Sequence, residues 1–447
     1  MFQAFMNFFK TGEDKPLISN DPNVIAKTFN KARWSVFISI TLGYAFYYVT
    51  RLNFSVVKKP LLNSGVIDAQ QLGMMGSAFF ITYAIGKFAN SFLCDRLNVK
   101  KFMATGLFLS GLCTALMGLT STFTFLLILY GLNGWFQSFG AGPSIIALNQ
   151  WFSNKERGTF YGIWFMSHNI GAAVTYMVTA VLVTKYSWQA GFLAPGIIVM
   201  VASVFLYMFL YDRPETYGLP NVADFKGEEV AGEVKDKTVS ELQMMVVKSP
   251  AVWILGLSSA CCYITRYAIE SWGIVYLTEA KGYSMLGASG LLSTMQMAGV
   301  VGTILGGFIS DKVFNSRRNV PALIFGILYA ASTAAFLWAP QSDTIDLISM
   351  VCYGFSMGIL VCFLGGLMAV DIAPRKATGA AMGMIGLFSY MGAALQENVT
   401  GYFINANKTV VDGKTIYDFT AAGEFWVGAA VLSCILALLV WNAKPKG

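Results

Sequence analysis

Residues 48–51 are Tyr-Val-Thr-Arg, and residues 263–266 are Tyr-Ile-Thr-Arg. The second tetrapeptide begins 215 positions after the first, and each lies inside a long, mostly apolar run. An arginine at the same place in two such runs is unusual, because an ionised side chain at the centre of a bilayer is costly. The match therefore suggests a duplicated chain with a shared function for the two arginines.

Two further features recur at almost the same spacing. Asp95-Arg96 is followed 216 positions later by Asp311-Lys312, and each pair closes an apolar run. Gly158, which comes just after a charged pair, is matched 221 positions later by Gly379. Three features in the same order at nearly one offset predict two related halves.

The composition places both halves in a membrane. The chain has 447 residues, 55% hydrophobic and only 12% charged, whereas a soluble domain has about 25% charged residues. Uncharged or nearly uncharged runs approach the roughly 20 residues that cross a bilayer as a helix. They are apolar on every side, which favours helices over the alternating strands of a barrel. The runs are 34–48, 72–86, 102–133, 159–183, 191–211, 286–310, 320–341, 347–370 and 425–442.

The predicted fold is an all-α membrane protein of twelve transmembrane helices in two pseudo-symmetric six-helix bundles. The predicted spans are 34–58, 72–94, 102–120, 122–149, 158–184, 189–211, 250–279, 286–310, 320–340, 345–371, 378–404 and 422–441. The predicted domains are an N-terminal segment 1–33, a first bundle 34–211, a linker 212–249, a second bundle 250–441 and a tail 442–447.

The basic residues sort between the two faces that this topology creates. One face carries 22 of the 31 Lys and Arg residues, including those of the linker and both termini, and the other carries six. The positive-inside rule then places both termini in the cytoplasm, and the net charge of +7 needs no nucleic-acid partner. The six are Lys58, Lys59, Lys185, Lys281, Lys408 and Lys414.

Three cations remain inside the predicted spans: Arg51, Lys87 and Arg266. A central arginine costs about 2.5–3.5 kcal/mol on insertion scales, so each needs a partner or a wet cavity. Both arginines lie roughly 25 Å along their helices at 1.5 Å per residue. Glu270, one turn after Arg266, is a candidate partner, whereas Arg51 has no carboxylate one turn away. Two facing guanidiniums suit a dianionic phosphate, which each can bind with two hydrogen bonds.

Other polar residues in the spans complete the candidate site. His168 is the only histidine. It is either a hydrogen-bonded packing residue or a substrate contact, because an imidazole ordinarily changes its charge near neutral pH. Lys87 either snorkels to the surface or faces the substrate. The seven cysteines have no paired spacing or partner histidines, so we expect no metal or other cofactor. No nucleophile or paired catalytic carboxylates suggest an enzyme, and we expect no catalytic residues.

The chain resembles the organophosphate:inorganic phosphate antiporters of the major facilitator superfamily, most of all the hexose-6-phosphate branch with its receptor-like members. The resemblance rests on GYAFYYVTR at 43–51, YAIGKF at 83–88, SHNIG at 167–171, DRPETYGLP at 212–220, and Thr265-Arg266 with Trp272. It implies the major facilitator fold, with a site at the midplane between the halves. It also implies that Arg51 and Arg266 grip phosphate, with Lys87 and His168 in or beside the site.

The resemblance also assigns a second group of residues. DRLNVKK at 95–101 is similar to the superfamily's loop signature, which gives Asp95, Arg96, Asp311 and Lys312 a gating or structural role. Many relatives have Lys where this chain has Leu52, and an acidic residue where it has Ser271. Independently of the resemblance, aromatic and polar residues of the spans are candidates for the organic part of the substrate pocket: Tyr44, Tyr48, Trp164, Tyr263, Tyr267, Glu270, Tyr390 and Gln396.

The favoured function is exchange of a sugar phosphate, hexose-6-phosphate first, for inorganic phosphate across a bacterial inner membrane by a monomer in the lipid bilayer. The alternatives are an antiporter of glycerol-3-phosphate or another organophosphate, and a proton-coupled organic-anion symporter that uses Glu270 or Glu397. A third is a hexose-phosphate receptor that signals through a separate partner.

Overall fold

The computed structural model describes residues 7–93, 97–153, 155–227, 239–314, 318–364, 368, 372 and 378–440. Twelve long helical segments, α1–α12, follow one another in two groups of six, and nine of the helices described are long and apolar enough to cross a bilayer on their own. They are α1 Pro22–Ser64, α2 Ala69–Leu93, α3 Val99–Met117, α4 (Phe123–Gln137 continued by Ala141–Trp151), α5 Arg157–Lys185, α6 Ala190–Phe209, α7 Pro250–Glu279, α8 Met285–Phe308, α9 Asn319–Trp338, α10 Asp343–Cys362, α11 Thr378–Ala406 and α12 Thr420–Leu439.

Helix α1 extends well past both predicted ends. Asp21 caps it by accepting a hydrogen bond from the Asn23 amide, and Pro22 occupies the first helical position, where no amide donor is needed. The helix stops at Gly65, whose φ of 67° is left-handed and favours glycine. The span predicted at 34–58 is therefore part of a 43-residue helix, and residues beyond 58 continue it.

Helix α4 is interrupted where the sequence predicted one continuous span, 122–149. The amides of Ser138, Phe139 and Gly140 bond to carbonyls three residues back, which tightens the backbone before the second piece begins. Pro143 lies in the first turn of that second piece, where its missing amide donor is tolerated. At the break, the position of a Cβ on Gly140 would be 2.9 Å from the Tyr47 ring, so only glycine lets α4 approach α1 this closely.

The two six-helix groups pack against each other along three helix pairs: α1 with α7, α2 with α11, and α5 with α8. Ser77 of α2 donates to the Ala394 carbonyl of α11 at 2.5 Å, and Ser293 of α8 donates to the Ala173 carbonyl of α5 at 2.8 Å. These contacts lie toward the face opposite the chain termini, which we call the distal face. The face that carries the termini is the proximal face.

On the proximal face, part of the linker between the two bundles is folded. Its described residues form a 3-10 turn Pro214–Tyr217 and two short helices, Val222–Lys226 and Val239–Val247. Asp212 accepts hydrogen bonds from Thr11, Asn98 and the Val99 amide, which fastens the N-terminal segment and the start of the linker to α3. On the distal face, strands β1 Thr409–Val411 and β2 Lys414–Ile416 form a hairpin.

Candidate functional site

Arg51 lies deep in α1 within a group of aromatic rings. Its side chain is buried, with its Cζ 4.3 Å from the Tyr83 ring centroid, 5.1 Å from that of Tyr48 and 5.3 Å from that of Phe79. Nη1 donates to the Tyr48 hydroxyl at 3.3 Å. Within the described part of the chain, Arg51 forms no ion pair, and its Nε and Nη2 have no hydrogen-bond partner. Arg51 therefore carries a positive charge that rings stabilise but no carboxylate neutralises.

Arg266 occupies the matching position in α7 and is paired differently. Its Nε donates to Glu270 Oε1 at 3.0 Å, as the one-turn spacing predicted. Gln296 of α8 donates to the same oxygen at 3.1 Å. The rings of Tyr263 and Tyr267 lie 5.4 and 5.3 Å from the Arg266 Cζ. The two arginines are thus unequal, because only Arg266 has a carboxylate partner.

Aromatic side chains connect the two arginines across the interface. Tyr390 of α11 lies 6.0 Å from the Arg51 Cζ, with ring centroids 4.5 Å from Tyr83 and 5.5 Å from Tyr263. Tyr267, which stacks beside Arg266, also lies close enough to Arg51 to interact with its charge. Aromatic residues predicted for the pocket therefore meet from both halves in one buried group.

His168 of α5 joins this group from the first half. Its ring centroid is 5.1 Å from that of Tyr48, and it lies within electrostatic reach of both arginines. The Phe165 carbonyl accepts a hydrogen bond from Nδ1, so Nε2 is the ring nitrogen left for other partners. Tyr44 packs at 4.7 Å against the ring of Trp164, one turn before His168.

Three of the predicted residues, Lys87, Gln396 and Lys312, lie at the edge of this buried group or away from it. Lys87 is at the edge of the group, with Nζ 5.0 Å from the Tyr390 ring. Gln396 faces the interior of its own bundle, where it donates to Thr400 at 3.1 Å. Lys312 is exposed in a π-helical turn, Ile309–Val313, at the end of α8. Asp95, Arg96 and the side chain of Asp311 lie outside the described residues.

The sequence placed Lys58 at the distal end of the first span, and the structure shows that its side chain is buried and paired there. Its side chain is 0% exposed, and Nζ lies 2.8 Å from Glu397 Oε2, 2.6 Å from Ser271 Oγ and 3.9 Å from the Trp272 ring centroid. The burial of Lys58 was not expected because the first span was predicted to end at this residue, whereas α1 continues to Ser64. Lys58 follows Arg51 by seven residues, which puts both on one face of α1, and this spacing was the available signal.

Lys281 lies in the distal loop where the sequence placed it, between α7 and α8, and it is also buried. It pairs with Asp346 at the start of α10, and this ion pair neutralises it within the second half. Lys59, beside Lys58, pairs with Glu279 of α7 and adds a second ion pair between the halves on the distal side.

The donors of this group are chemically suited to an anion. It offers guanidinium, tyrosine and indole donors around an uncompensated charge, and a deprotonated phosphate accepts hydrogen bonds from all of these. Among the described residues, no three His, Cys, Asp or Glu side chains are placed to hold a metal ion. Two related six-helix bundles with a buried polar site at their interface are the architecture of a secondary transporter that works by alternating access.

Comparison with known proteins gives the family. The model of the Major Facilitator Superfamily matches residues 40–396. The chain belongs to this superfamily and, within it, to the organophosphate:inorganic phosphate antiporter family. It is therefore a multi-pass membrane transporter and not an enzyme.

Relatives match over nearly the full length. The chain is 31% identical to the probable hexose phosphate transport protein of Chlamydia trachomatis, over 96% of this chain and 95% of that protein. It is 31% identical to the membrane sensor protein UhpC of Salmonella typhimurium, over 87% and 89%. It is also 31% identical to the hexose-6-phosphate:phosphate antiporter of the same organism, over 97% and 94%.

Solved structures support the fold. A bacterial homolog of the human lysosomal transporter Spinster, crystallised in an inward-facing, unoccupied conformation, superposes with a TM-score of 0.72. It covers 92% of this chain and 97% of its own, at 17% sequence identity.

Proposed function

We propose that this protein exchanges a sugar phosphate, hexose-6-phosphate above all, for inorganic phosphate. The observation that carries the proposal is the state of Arg51: buried between the halves, beside the Arg266 group, with no carboxylate partner among the described residues. A buried cation of this kind is costly unless an anion joins it. Phosphate supplies that anion, and a guanidinium binds its oxygens in pairs.

The exchange follows from the electrostatics of the empty and loaded site. Without substrate, Arg51 keeps an uncompensated charge while Arg266 is held by Glu270. A bound phosphate compensates Arg51 and reaches the remaining donors of Arg266, so the two halves close over it most easily when the site is loaded. A transporter that reorients readily only when loaded must carry an anion in each direction, which is exchange.

The distal contacts between the halves support an alternating-access cycle. Lys58 with Glu397 and Lys59 with Glu279 hold the distal side together. We propose that the distal face is periplasmic, so that both termini and the linker lie in the cytoplasm of a bacterial inner-membrane protein. We also propose that one chain is the transporting unit, because each half contributes its own arginine.

The proposal is tested in proteoliposomes loaded with inorganic phosphate. External glucose-6-phosphate should drive efflux of labelled phosphate, and vesicles loaded without phosphate should take up little glucose-6-phosphate. Arg51→Lys keeps the charge but loses the paired hydrogen bonds, and it should reduce exchange at least a hundredfold. Arg213→Lys, at an arginine that pairs with Asp14 on the proximal face, is the matched control. Equal uptake without internal phosphate, or normal exchange by Arg51→Lys, would contradict the proposal.

The same vesicles separate the alternatives. Competition by glycerol-3-phosphate that exceeds competition by glucose-6-phosphate identifies another organophosphate as the substrate. Accumulation driven by acidic medium and lost in Glu270→Gln or Glu397→Gln indicates proton-coupled symport. Saturable binding of glucose-6-phosphate with no exchange indicates a receptor, as the similarity to the sensor protein suggests.

A further inference from the structure

Several of the buried polar atoms without partners lie near the two arginines, and they differ in chemical kind between the two. Among the described residues, the unpartnered donors near Arg51 are its own Nε and Nη2 and the Tyr267 hydroxyl. The Trp164 Nε1, beside the Tyr44 ring, is also unpartnered. The unpartnered acceptors lie around the arginine of the other half and are Glu270 Oε2, Gln296 Oε1 and Asn169 Oδ1. An unsatisfied buried polar atom is costly, so a cluster of them marks a place where a ligand completes the hydrogen bonds.

The acceptor group is held in place by the contacts it already makes. Glu270 Oε1 accepts from Arg266 and from Gln296, which leaves Oε2 without a donor. Because the Gln296 amide nitrogen is used on Glu270, its carbonyl oxygen must point elsewhere. The side chains of Arg266, Glu270 and Gln296 are almost fully buried.

Asn169 brings the first half into the same acceptor group. Its Nδ2 is 3.6 Å from the position of a Cβ on Gly299, one turn after Gln296 on α8. Residues three apart lie on one face of a helix, so Asn169 faces the surface of α8 that also carries Gln296. Asn169 directly follows His168 on α5, which ties the acceptor group to the arginine site.

The dianionic phosphate group of an ester has only acceptors and cannot satisfy Glu270, Gln296 and Asn169. Sugar hydroxyl groups are donors as well as acceptors and can satisfy all three. We propose that Glu270, Gln296 and Asn169 recognise the hydroxyl groups of the organic part of the substrate, while Arg51 and the donors around it hold the phosphate. This inference rests on the proposed function, and it restricts the organic substrate to polyhydroxy phosphate esters.

The orientation of the substrate follows from the same division. The phosphate lies between Arg51 and the remaining donors of Arg266, and the hydroxyl-bearing carbon chain extends toward Glu270, Gln296 and Asn169. Inorganic phosphate fills only the first part, so it binds without the acceptor group. A phosphate ester without hydroxyl groups would bury Glu270 Oε2 without a donor, and a site built to bond a hydroxyl discriminates strongly against an analogue without it.

The test compares two inhibitors of labelled phosphate exchange in proteoliposomes: glucose-6-phosphate and cyclohexylmethyl phosphate, which has a similar ring but no hydroxyl groups. In the wild type, the first should inhibit at a concentration at least tenfold lower than the second. Gln296→Met and Asn169→Leu should each raise the half-inhibitory concentration of glucose-6-phosphate about tenfold, as expected for the loss of one or two hydrogen bonds. The value for cyclohexylmethyl phosphate should stay within twofold.

Thr303→Val is the matched control, because Thr303 also lies on α8 but bonds to the Gly299 carbonyl within its own helix. If a variant does not reconstitute, its thermal stabilisation in detergent by glucose-6-phosphate and by cyclohexylmethyl phosphate gives the same comparison. Equal potency of the two esters in the wild type, or equal changes for both in the variants, would overturn the inference. A wild type without any phosphate exchange or phosphate binding would instead overturn the proposed function, and this inference with it.

Discussion

Lys58 of α1 and Glu397 of α11 form an ion pair that joins the two halves of the protein at a distance of 2.8 Å, with both side chains at most 1% exposed. Trp272 of α7 donates to the same carboxylate oxygen at 2.8 Å, and its ring lies 3.9 Å from the Lys58 ammonium. The pair lies two helical turns beyond Arg51 toward the distal face. It therefore closes the distal side of the proposed substrate site.

Removing one partner of this pair should open the distal side. Loss of one member of a buried ion pair leaves a buried charge and costs about 3–5 kcal/mol, and opening would relieve that cost by admitting water. We expect Lys58→Met and Glu397→Gln each to increase the distal separation between spin labels at Ser64 and Asn407, measured by electron paramagnetic resonance in a background without native cysteines.

The double variant Lys58→Met with Glu397→Gln is the control. It leaves no unpaired charge, so its distance distribution should return toward that of the wild type. Single variants with unchanged distances would show that the pair is not what holds the distal side closed.

Gly73 of α2 should tolerate no side chain in the distally closed state. A Cβ there would overlap the backbone of α11 at Glu397 and Gly401. Gly73→Val should therefore wedge α2 and α11 apart and give the same increase in label distance as the ion-pair variants. Gly290→Val is the comparison, since a Cβ on Gly290 of α8 has no atom within 4 Å. Similar distances in both glycine variants would contradict the prediction.

Tyr267 should contribute to phosphate affinity through its hydroxyl group. The hydroxyl is buried, has no hydrogen-bond partner within the described residues and lies near both arginines. A hydrogen bond to a charged group contributes about 1.5–3 kcal/mol, which is roughly ten- to hundredfold in affinity. Tyr267→Phe should weaken inorganic phosphate binding by that factor in isothermal titration calorimetry.

Tyr276→Phe is the matched control for this effect. Its hydroxyl donates to the Leu337 carbonyl at 2.5 Å inside the second half, so its loss should lower the melting temperature and leave phosphate affinity within twofold. Wild-type affinity in Tyr267→Phe would remove Tyr267 from the site.

Asp212 should hold the N-terminal segment in place mainly through the hydrogen bonds that its side chain accepts. Burial raises the pKa of its carboxyl group, although hydrogen bonds from Thr11 and the Val99 amide oppose the shift. A pKa that is higher in the folded state means that ionisation of Asp212 costs stability as the pH rises through that value. Asp212→Asn removes this pH dependence and keeps one acceptor oxygen for the Val99 amide, so at pH 7 it should destabilise the protein less than Asp212→Ala does.

Asp212→Ala should behave differently, because it removes the acceptor for three donors. We expect trypsin to cleave it after Lys10 and Lys15 several times faster than it cleaves the wild type or Asp212→Asn. Asp224→Ala, at an exposed residue of the linker, controls for a general loosening of this face. Equal cleavage of the alanine and asparagine variants would contradict the anchoring role.

Much of the fold was predictable because its signals are local in sequence. Runs of apolar residues define helices wherever water is excluded, and the repeated Tyr-x-Thr-Arg tetrapeptide placed Arg51 and Arg266 at matching depths. The Arg266–Glu270 pair was also predictable, since both residues lie one turn apart on one helix. The interruption of α4 was not, because it depends on the approach of Gly140 to Tyr47 of another helix.

By itself, the sequence determined twelve spans in two related halves, a membrane location and two buried arginines. The tertiary structure alone decided which neighbours those arginines and the other polar residues have. Gln396 and Glu397 show why: consecutive residues point about 100° apart around a helix, so Gln396 turns into its own bundle while Glu397 meets Lys58, 339 positions away. Helix rotation and packing between the halves fix such pairs, and neither is encoded in any local pattern.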